Sequence, residues 1–477
     1  MLTRSGVGRR EQVGYFCMEE LVPKEHLLRA VEAAIDFEFI YEAVKGLYCE
    51  DNGRPGIDPV VLFKIVFIQY IFGLRSMRQT IREIEVNMAY RWFLGFDLYT
   101  PVPHFTTFGK NYMRRFANSN VFERIFEKIL QEAVDAGFVD ASAIFIDGTH
   151  VKANANKKKV TYEVVEKKAK HYKKELEDEI NRDREEHGKK PLKDDDDDDP
   201  PTTTVTKSKT DPDCGMFHKG EHEKQLAYTA NVACDKNNFV LAFDVSPGNV
   251  HDSVMFDELY RQTIEKFPEA AMVALDSGYK TPWIMKQIFD SQRLPSTPYK
   301  CPMTKKGFFK KYEFVYDEYY DCVICPNNEI LTYSTTNRDG YREFKSNPAK
   351  CQGCPHRAKC TESKNHQKVF LRHVWQDYMD RAEDVRHSPQ GKAIYTMRGQ
   401  TIERVFADAK EKHALRYTQY RSKSKVKMEL CMTFAAMNLK KLAAWKQRWA
   451  ASLFALFSFP FCRLLFHIKK PAFSFAL

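Results

Sequence analysis

The sequence predicts an α/β protein: a helical first region, then a sheet-and-helix core with a small Cys-rich insertion. Three observations carry that expectation. Residues 143–146 (AIFI) form an apolar run that stops at Asp147-Gly148-Thr149. Residues 271–275 (AMVAL) repeat the setting and stop at Asp276-Ser277-Gly278. Short apolar runs with abrupt ends read as buried strands, and open sheets bind ligands beyond such ends. Asp-Gly is also a common turn pair, so it is the repetition that points to two carboxylates at one sheet rim. The third observation is a proline-free stretch, 391–415, with an apolar stripe of Ile402, Val405, Phe406 and Ala409 at helical spacing.

The chain has 477 residues, enough for two or three domains. Its net charge is +10, with 74 Lys+Arg against 64 Asp+Glu. That balance suits a partner with a phosphate backbone. The opening MLTRSGVGRREQ has no apolar core of the signal-peptide kind. The apolar tail 452–466 is broken by Pro460, Cys462 and Arg463 and is too short to span a bilayer. Twelve Cys without a signal peptide point to a reducing compartment. The expected location is cytoplasmic and nucleoid-associated, with no membrane partner.

Taken in order, residues 11–140 read as helices broken at 52–55 and 99–103. Ser76 caps a helix over 76–86 with Gln79 three residues on, a second runs over 87–94, and Thr106 or Thr107 opens a third over 106–116. Lys110, Asn111, Arg114 and Arg115 on that third helix suit a reading helix on DNA; a helical bundle with a solvated basic face is the alternative. Residues 160–190 carry opposite charges at helical spacing and read as an exposed helix or hairpin arm. The run Asp194–Asp199, then Pro200 and Pro201, marks 189–209 as a disordered loop. A hairpin follows over 228–245, and His251-Asp252-Ser253 opens a helix through Lys266. Another helix spans 281–289.

Glu403, Ala407 and Lys410 share one face of the 391–415 helix. Arg404, Lys410, Lys412, His413, Arg416 and Arg421 surround it with positive charge. Three convergent carboxylates can hold two divalent cations for in-line phosphoryl displacement, and Mg²⁺ suits few carboxylates plus waters and phosphates.

The motifs FIDGTHVKANANK, SPGN followed by His251-Asp252, ALDSGYK and TIERVFADAKEKH, in this order from 54 to 441, resemble insertion-sequence transposases of the DDE class. The resemblance implies a ribonuclease-H-like core with a mixed five-stranded sheet flanked by helices, preceded by the family's N-terminal DNA-binding domain. It implies that Asp147, Asp276 and Glu403 bind two Mg²⁺ or Mn²⁺ ions, and that Lys410 is the family's catalytic lysine. Tyr395 and Arg398 fall one position off the family spacing. Arg398 and Arg404 join the third helix as expected DNA contacts. The partners implied are the terminal inverted repeats and target DNA, bound by a homodimer.

The insertion carries Cys322-x-x-Cys325, Cys351-x-x-Cys354 and Cys360, with His356 as a spare donor. Two CxxC pairs are a structural Zn²⁺ signal. The expected ligands are Cys322, Cys325, Cys351 and Cys354, with Cys360 able to replace one. The expected division is 1–140 helical DNA-binding domain, 141–300 first part of the core (160–210 the arm and loop), 301–380 zinc insertion, 381–445 last part of the core, and 446–477 tail. Three functions compete: an active transposase, a metal-dependent nuclease without strand transfer, and a DNA-binding protein with a decayed core. Intact acids disfavour the last.

Overall fold

The structure is a computed structural model and describes residues 15–49, 56–166, 172–192, 202–219, 223–301 and 303–458. The opening 1–12 stretch, the break at 52–55, the Asp194–Asp199 run and the tail after Ser458 lie outside the described residues. Two compact units result: one from 1–140, 151–154 and 405–477, the other from 141–150 and 155–404.

The second unit holds an eight-stranded sheet. Its strands are β1 (Ala143–Lys152), β2 (Val160–Glu166), β3 (Thr202–Ser208), β4 (Gly215–Lys219), β5 (Glu223–Cys234), β6 (Val240–Pro247), β7 (Met272–Leu275) and β8 (Leu294–Ser296). The order is β2-β3-β4-β5-β1-β7-β8, with β6 also paired to β5. Within it β6, β5, β1, β7 and β8 form a mixed five-strand core: β5 and β6 are antiparallel, and β1–β7 and β7–β8 are parallel. Residues 143–146 and 272–275 are buried throughout, as expected of strands covered on both faces. The hairpin between β5 and β6 turns at Asp235, whose carboxylate accepts from Phe239 N–H at 2.7 Å. Asn238 takes the left-handed conformation there, at φ 65°.

Four expectations need correction. The first strand does not stop at Asp147: β1 continues through Gly148 and Thr149 to Lys152. The sheet has eight strands, because β2, β3 and β4 extend it, β2 and β3 through residues expected to be arm and loop; 202–208 is strand, paired along β2. The charged segment is not a free arm. Its helix Lys173–Glu186 buries Leu176, Ile180 and Asp183, and Asp183 pairs with Arg342 at 2.5 Å. Those inward positions are three or four apart and are hidden in the sequence by the charges between them. The 391–415 helix is interrupted: Pro389–Thr396 and Ile402–Lys412 are separated by a 3₁₀ turn, Met397–Gln400.

A second, antiparallel sheet lies between the second and third acids. It comprises β9 (Val315–Asp317), β10 (Cys322–Ile324), β11 (Ile330–Thr336), β12 (Tyr341–Lys345) and β13 (Val369–His373), in the order β13-β12-β11-β10-β9. Phe314, Val323, Leu331, Phe344 and Phe370 form its own core.

The described elements of the first unit from Met18 to Asp135 are helices. Ser76 Oγ accepts from Gln79 N–H, and Asn87 Oδ1 from Ala89 and Tyr90 N–H, capping Met77–Val86 and Met88–Leu94. The long helix Lys423–Ser458 packs on Leu27–Ala34, Pro59–Ile71 and Val121–Asp135. Among the described residues no helix is long and apolar enough to cross a membrane.

This unit encloses a cavity of about 590 Å³ reaching the buried Glu429. Burial pushes the Glu429 carboxyl up to about 7, against hydrogen bonds from Thr418 and the Gln419 backbone. Folded Glu429 therefore keeps a proton that the unfolded chain, near 4.5, has released. Its contribution to stability is complete below pH 4.5 and is lost as pH rises through 7. Glu429→Gln should leave stability unchanged near pH 4.5 and raise it by up to about 3 kcal/mol above pH 7. Thermal unfolding of both proteins across that range measures it. His413, held by burial down to about 4, acts oppositely, losing stability as pH falls from 6.5, but is common to both proteins. An equal difference at pH 4.5 and 8 would refute the assignment.

Candidate functional site: the carboxylates around Asp147

β1 and β7 run parallel with Ile146 opposite Leu275. Asp147, the next residue within β1, and Asp276, the first residue past β7, therefore stand at the same level on neighbouring strands. Burial raises the Asp147 carboxyl above its ordinary value; the Arg398 charge and the Gly148 N–H oppose this, and Asp276 adds to it. Arg398 is 5% exposed and donates from Nη2 to Asp147 Oδ2 at 2.5 Å. Burial also raises the Tyr395 hydroxyl, Arg398 counters it, and Asp276, Glu403 and Asp147 reinforce it. One half-buried tyrosine thus senses all three expected acids. Glu403 is exposed in the first turn of Ile402–Lys412, while Ile402, Val405, Phe406 and Ala409 on the same helix are buried.

A further carboxylate lies beside Gly148. Asp252 is the first residue of the helix Asp252–Lys266, capped by His251 Nδ1 on Ser253 N–H. A Cβ on Gly148 would stand 2.9 Å from Asp252 Oδ1, so glycine after Asp147 admits this side chain. Burial raises Asp252, His251 lowers it, and Asp276 raises it further. The buried Tyr279 hydroxyl, without a hydrogen-bond partner, feels Asp252, Asp147 and Asp276. The sequence showed Asp252 only as part of the SPGN-Val-His-Asp stretch; a helix-opening acid gives no sign of which carboxylates it will face. A groove of about 550 Å³, lined by His150, Thr204, Thr206, His218, His251 and Asp252 among others, opens beside it.

A family model described as Transposase domain (DUF772) matches residues 16–114, and one described as Transposase DDE domain matches 324–443. These two matches, 99 and 120 of the 477 residues, support an insertion-sequence transposase of the DDE class. The DDE match includes Tyr395, Arg398, Glu403 and Lys410, and begins after Asp147 and Asp276. No curated protein and no solved structure matches the chain. A DDE transposase domain implies a ribonuclease-H-like fold, a nucleotidyl-transfer or nuclease activity and DNA binding, and such domains generally use divalent metal ions.

Other expected site residues are dispersed. Lys410 lies seven residues after Glu403 on one helix and lines the 590 Å³ cavity of the first unit. Arg404 is exposed. Arg398 is no surface contact for DNA: it is buried on Asp147. In the first unit Phe108, Tyr112 and Phe116 face inward, with Phe116 5.4 Å from Phe63. Lys110 and Arg114 face outward. Asn111 and Arg115 hydrogen-bond each other, and Arg115 lies 4.5 Å over Tyr48. The third helix is α-helical over Thr106–Asn111 and π-helical over Tyr112–Phe116. His104, not a threonine, accepts its first N–H.

The cysteines sort differently from expectation. Cys325, Cys351, Cys354 and Cys360 line one pocket of about 20 Å³. Burial raises the Cys360 thiol, Lys368 lowers it, and Cys325, Cys351 and Cys354 raise it further. Cys322 stands apart, buried in β10 near Asp317 and Asp321. Successive strand residues face opposite ways, so Cys322 cannot share a side with Val323, which enters the sheet's core. Cys325 lies past the strand in a turn, where its N–H meets Glu329 O. Among the described residues no group of three or more His, Cys, Asp or Glu side chains is arranged as a metal-ion site.

Proposed function

We propose that this transposase binds the ends of its insertion sequence as a homodimer and catalyses metal-dependent DNA cleavage and strand transfer. The observation that supports the reading is the parallel register of β1 and β7, which sets Asp147 beside Asp276, with the buried Arg398 donating to Asp147. The donor chemistry fits a hard divalent cation: the groups are carboxylate oxygens, and burial drives Asp147 and Asp252 toward their neutral forms unless positive charge is supplied. Asp147, Asp276 and Glu403 would hold two Mg²⁺ or Mn²⁺ ions. Bound there, such ions stabilise the attacking and leaving oxygens of a phosphoryl displacement. Arg398 fixes the orientation of Asp147, Tyr395 frames the acids, and Glu403 on its helix supplies the third carboxylate. Incubating the protein in Mg²⁺ with DNA carrying the element's ends and a target plasmid tests the reading. Joined products are expected; hydrolysed ends alone would mean a nuclease, and uncut DNA a decayed core.

The first unit supplies the second part of the proposal, contact with DNA through Lys110 and Arg114, with Arg115 partly committed to Asn111 and Tyr48. Replacing all three with Ala should weaken duplex binding and flatten its salt dependence by about 0.9 in the log–log slope per lost phosphate contact. Anisotropy titrations at several salt concentrations measure this; unchanged affinity and slope would leave the helix as bundle only.

The third part is a structural zinc held by Cys325, Cys351, Cys354 and Cys360. Four thiolates favour Zn²⁺ over Mg²⁺ and leave no open position for catalysis.

A further inference from the structure

The 590 Å³ cavity of the first unit is not used by the carboxylate site, and its floor is unusual. Gln69 and Glu429 are 6% and 7% exposed. Gln69 Oε1 and Glu429 Oε2 have no hydrogen-bond partner and both residues line the cavity; the Tyr70 hydroxyl, on the same cavity, is likewise without one. Buried acceptors without partners are costly, and two of them lining one cavity mark a place where a ligand supplies the donors. At pH 8, above the value to which burial raises Glu429, both atoms are acceptors and call for N–H groups. The rim is basic. Arg75 and Arg416 are exposed, Arg416 paired with Glu411, and Lys410 is half-buried. Tyr417, 54% exposed, presents a ring at the same rim, with Lys152 Nζ 5.3 Å from its centroid. Cationic groups around an aromatic ring, above a floor of acceptors, match a nucleotide in every part: phosphate, base face and base edge. The size lies within the range of small-ligand pockets.

We propose that this cavity receives one unstacked nucleotide of the bound DNA, its base donating amino or imino N–H groups to Gln69 Oε1 and Glu429 Oε2 and its phosphate lying against Arg75 and Arg416. Guanine, adenine and cytosine carry an exocyclic amino group. Thymine does not, and its single N–H is flanked by two carbonyl oxygens that would face the acceptors. The cavity therefore discriminates against thymine. A fully stacked, paired duplex cannot offer a base edge to an enclosed floor, so the site is filled only where a nucleotide has left the helix. The inference rests on the reading of the chain as a transposase that acts on DNA.

The test uses the full-length protein at pH 8 with two kinds of probe. The first is each of the four deoxynucleoside 5′-monophosphates alone, followed by saturation-transfer NMR. The second is a short duplex, fully paired or carrying one unpaired guanine, followed by anisotropy. dGMP should bind about tenfold more tightly than dTMP, and the bulged duplex about tenfold more tightly than the paired one, each a difference of about 1.4 kcal/mol. Gln69→Met keeps the side chain's length and removes the acceptor; Ala153→Leu adds bulk at the cavity wall. Both variants should lose both preferences, and Gln69→Met should melt at a higher temperature than the wild type, since it removes a buried acceptor that nothing satisfies. If dTMP binds as well as dGMP, or if folded Ala153→Leu keeps the wild-type preferences, the cavity is not a nucleotide site. If the mononucleotide preference holds while neither duplex binds, the cavity assignment stands and the DNA-acting reading fails.

Discussion

Asp147→Asn, Asp276→Asn and Glu403→Gln are each expected to abolish cleavage of DNA carrying the element's ends while leaving its binding largely intact. Each change removes one negative charge and keeps the side chain's shape. Loss of a metal-ligating charge removes several kcal/mol of stabilisation from a phosphoryl transition state, which corresponds to a fall of about a thousandfold or more. Asp147→Asn carries a second consequence. Arg398 is buried and donates to Asp147 Oδ2 at 2.5 Å, so the asparagine leaves a buried guanidinium without its counter-charge. That variant should be less stable than Glu403→Gln, whose parent side chain is exposed. Asp252→Asn should also slow cleavage, because Asp252 lies against Gly148 and feels Asp276. Cleavage assays in Mg²⁺ alongside anisotropy with the same DNA separate catalysis from binding. Wild-type cleavage by any one of the three main variants would remove that residue from the site.

The second large effect concerns the four-cysteine pocket. Cys351→Ser or Cys354→Ser should lose the bound zinc, and purified wild-type protein should carry about one zinc per chain. Zinc binding to such sites contributes on the order of 10 kcal/mol to the folding of the segment that holds them. That segment has little else: the helix Pro348–Gln352 and the turn Arg357–Lys359 bury no residue. The five-stranded sheet beside it has its own core of Phe314, Val323, Leu331, Phe344 and Phe370. Loss of zinc should therefore open residues 347–361 to proteases and spare the sheet. Cys322→Ser should keep the metal, because Cys322 lies outside the pocket. Metal analysis of reduced protein with limited proteolysis decides the matter: zinc-free wild type, or zinc lost from Cys322→Ser and retained in Cys351→Ser, would overturn the assignment.

The sequence by itself determined the buried apolar run before Asp147, the strand that ends before Asp276, the apolar stripe of the Glu403 helix, the Ser76 cap and the resemblance to transposases. Each is a local pattern: a run of apolar residues, a period of three to four, or a capping residue three positions before its partner, and local patterns survive folding when burial agrees with them. Tertiary structure decided what depends on residues far apart in the chain. Asp252 meets Gly148 across about a hundred residues, and Arg398 reaches Asp147 across 251. Cys360 joins the other thiols in place of Cys322 because strand alternation turns Cys322 away, a consequence of register that spacing alone does not state. The charged helix Lys173–Glu186 docks through Leu176, Ile180 and Asp183, whose partner Arg342 arrives from β12. Burial is set by what covers a residue, and for these positions the cover comes from elsewhere in the chain.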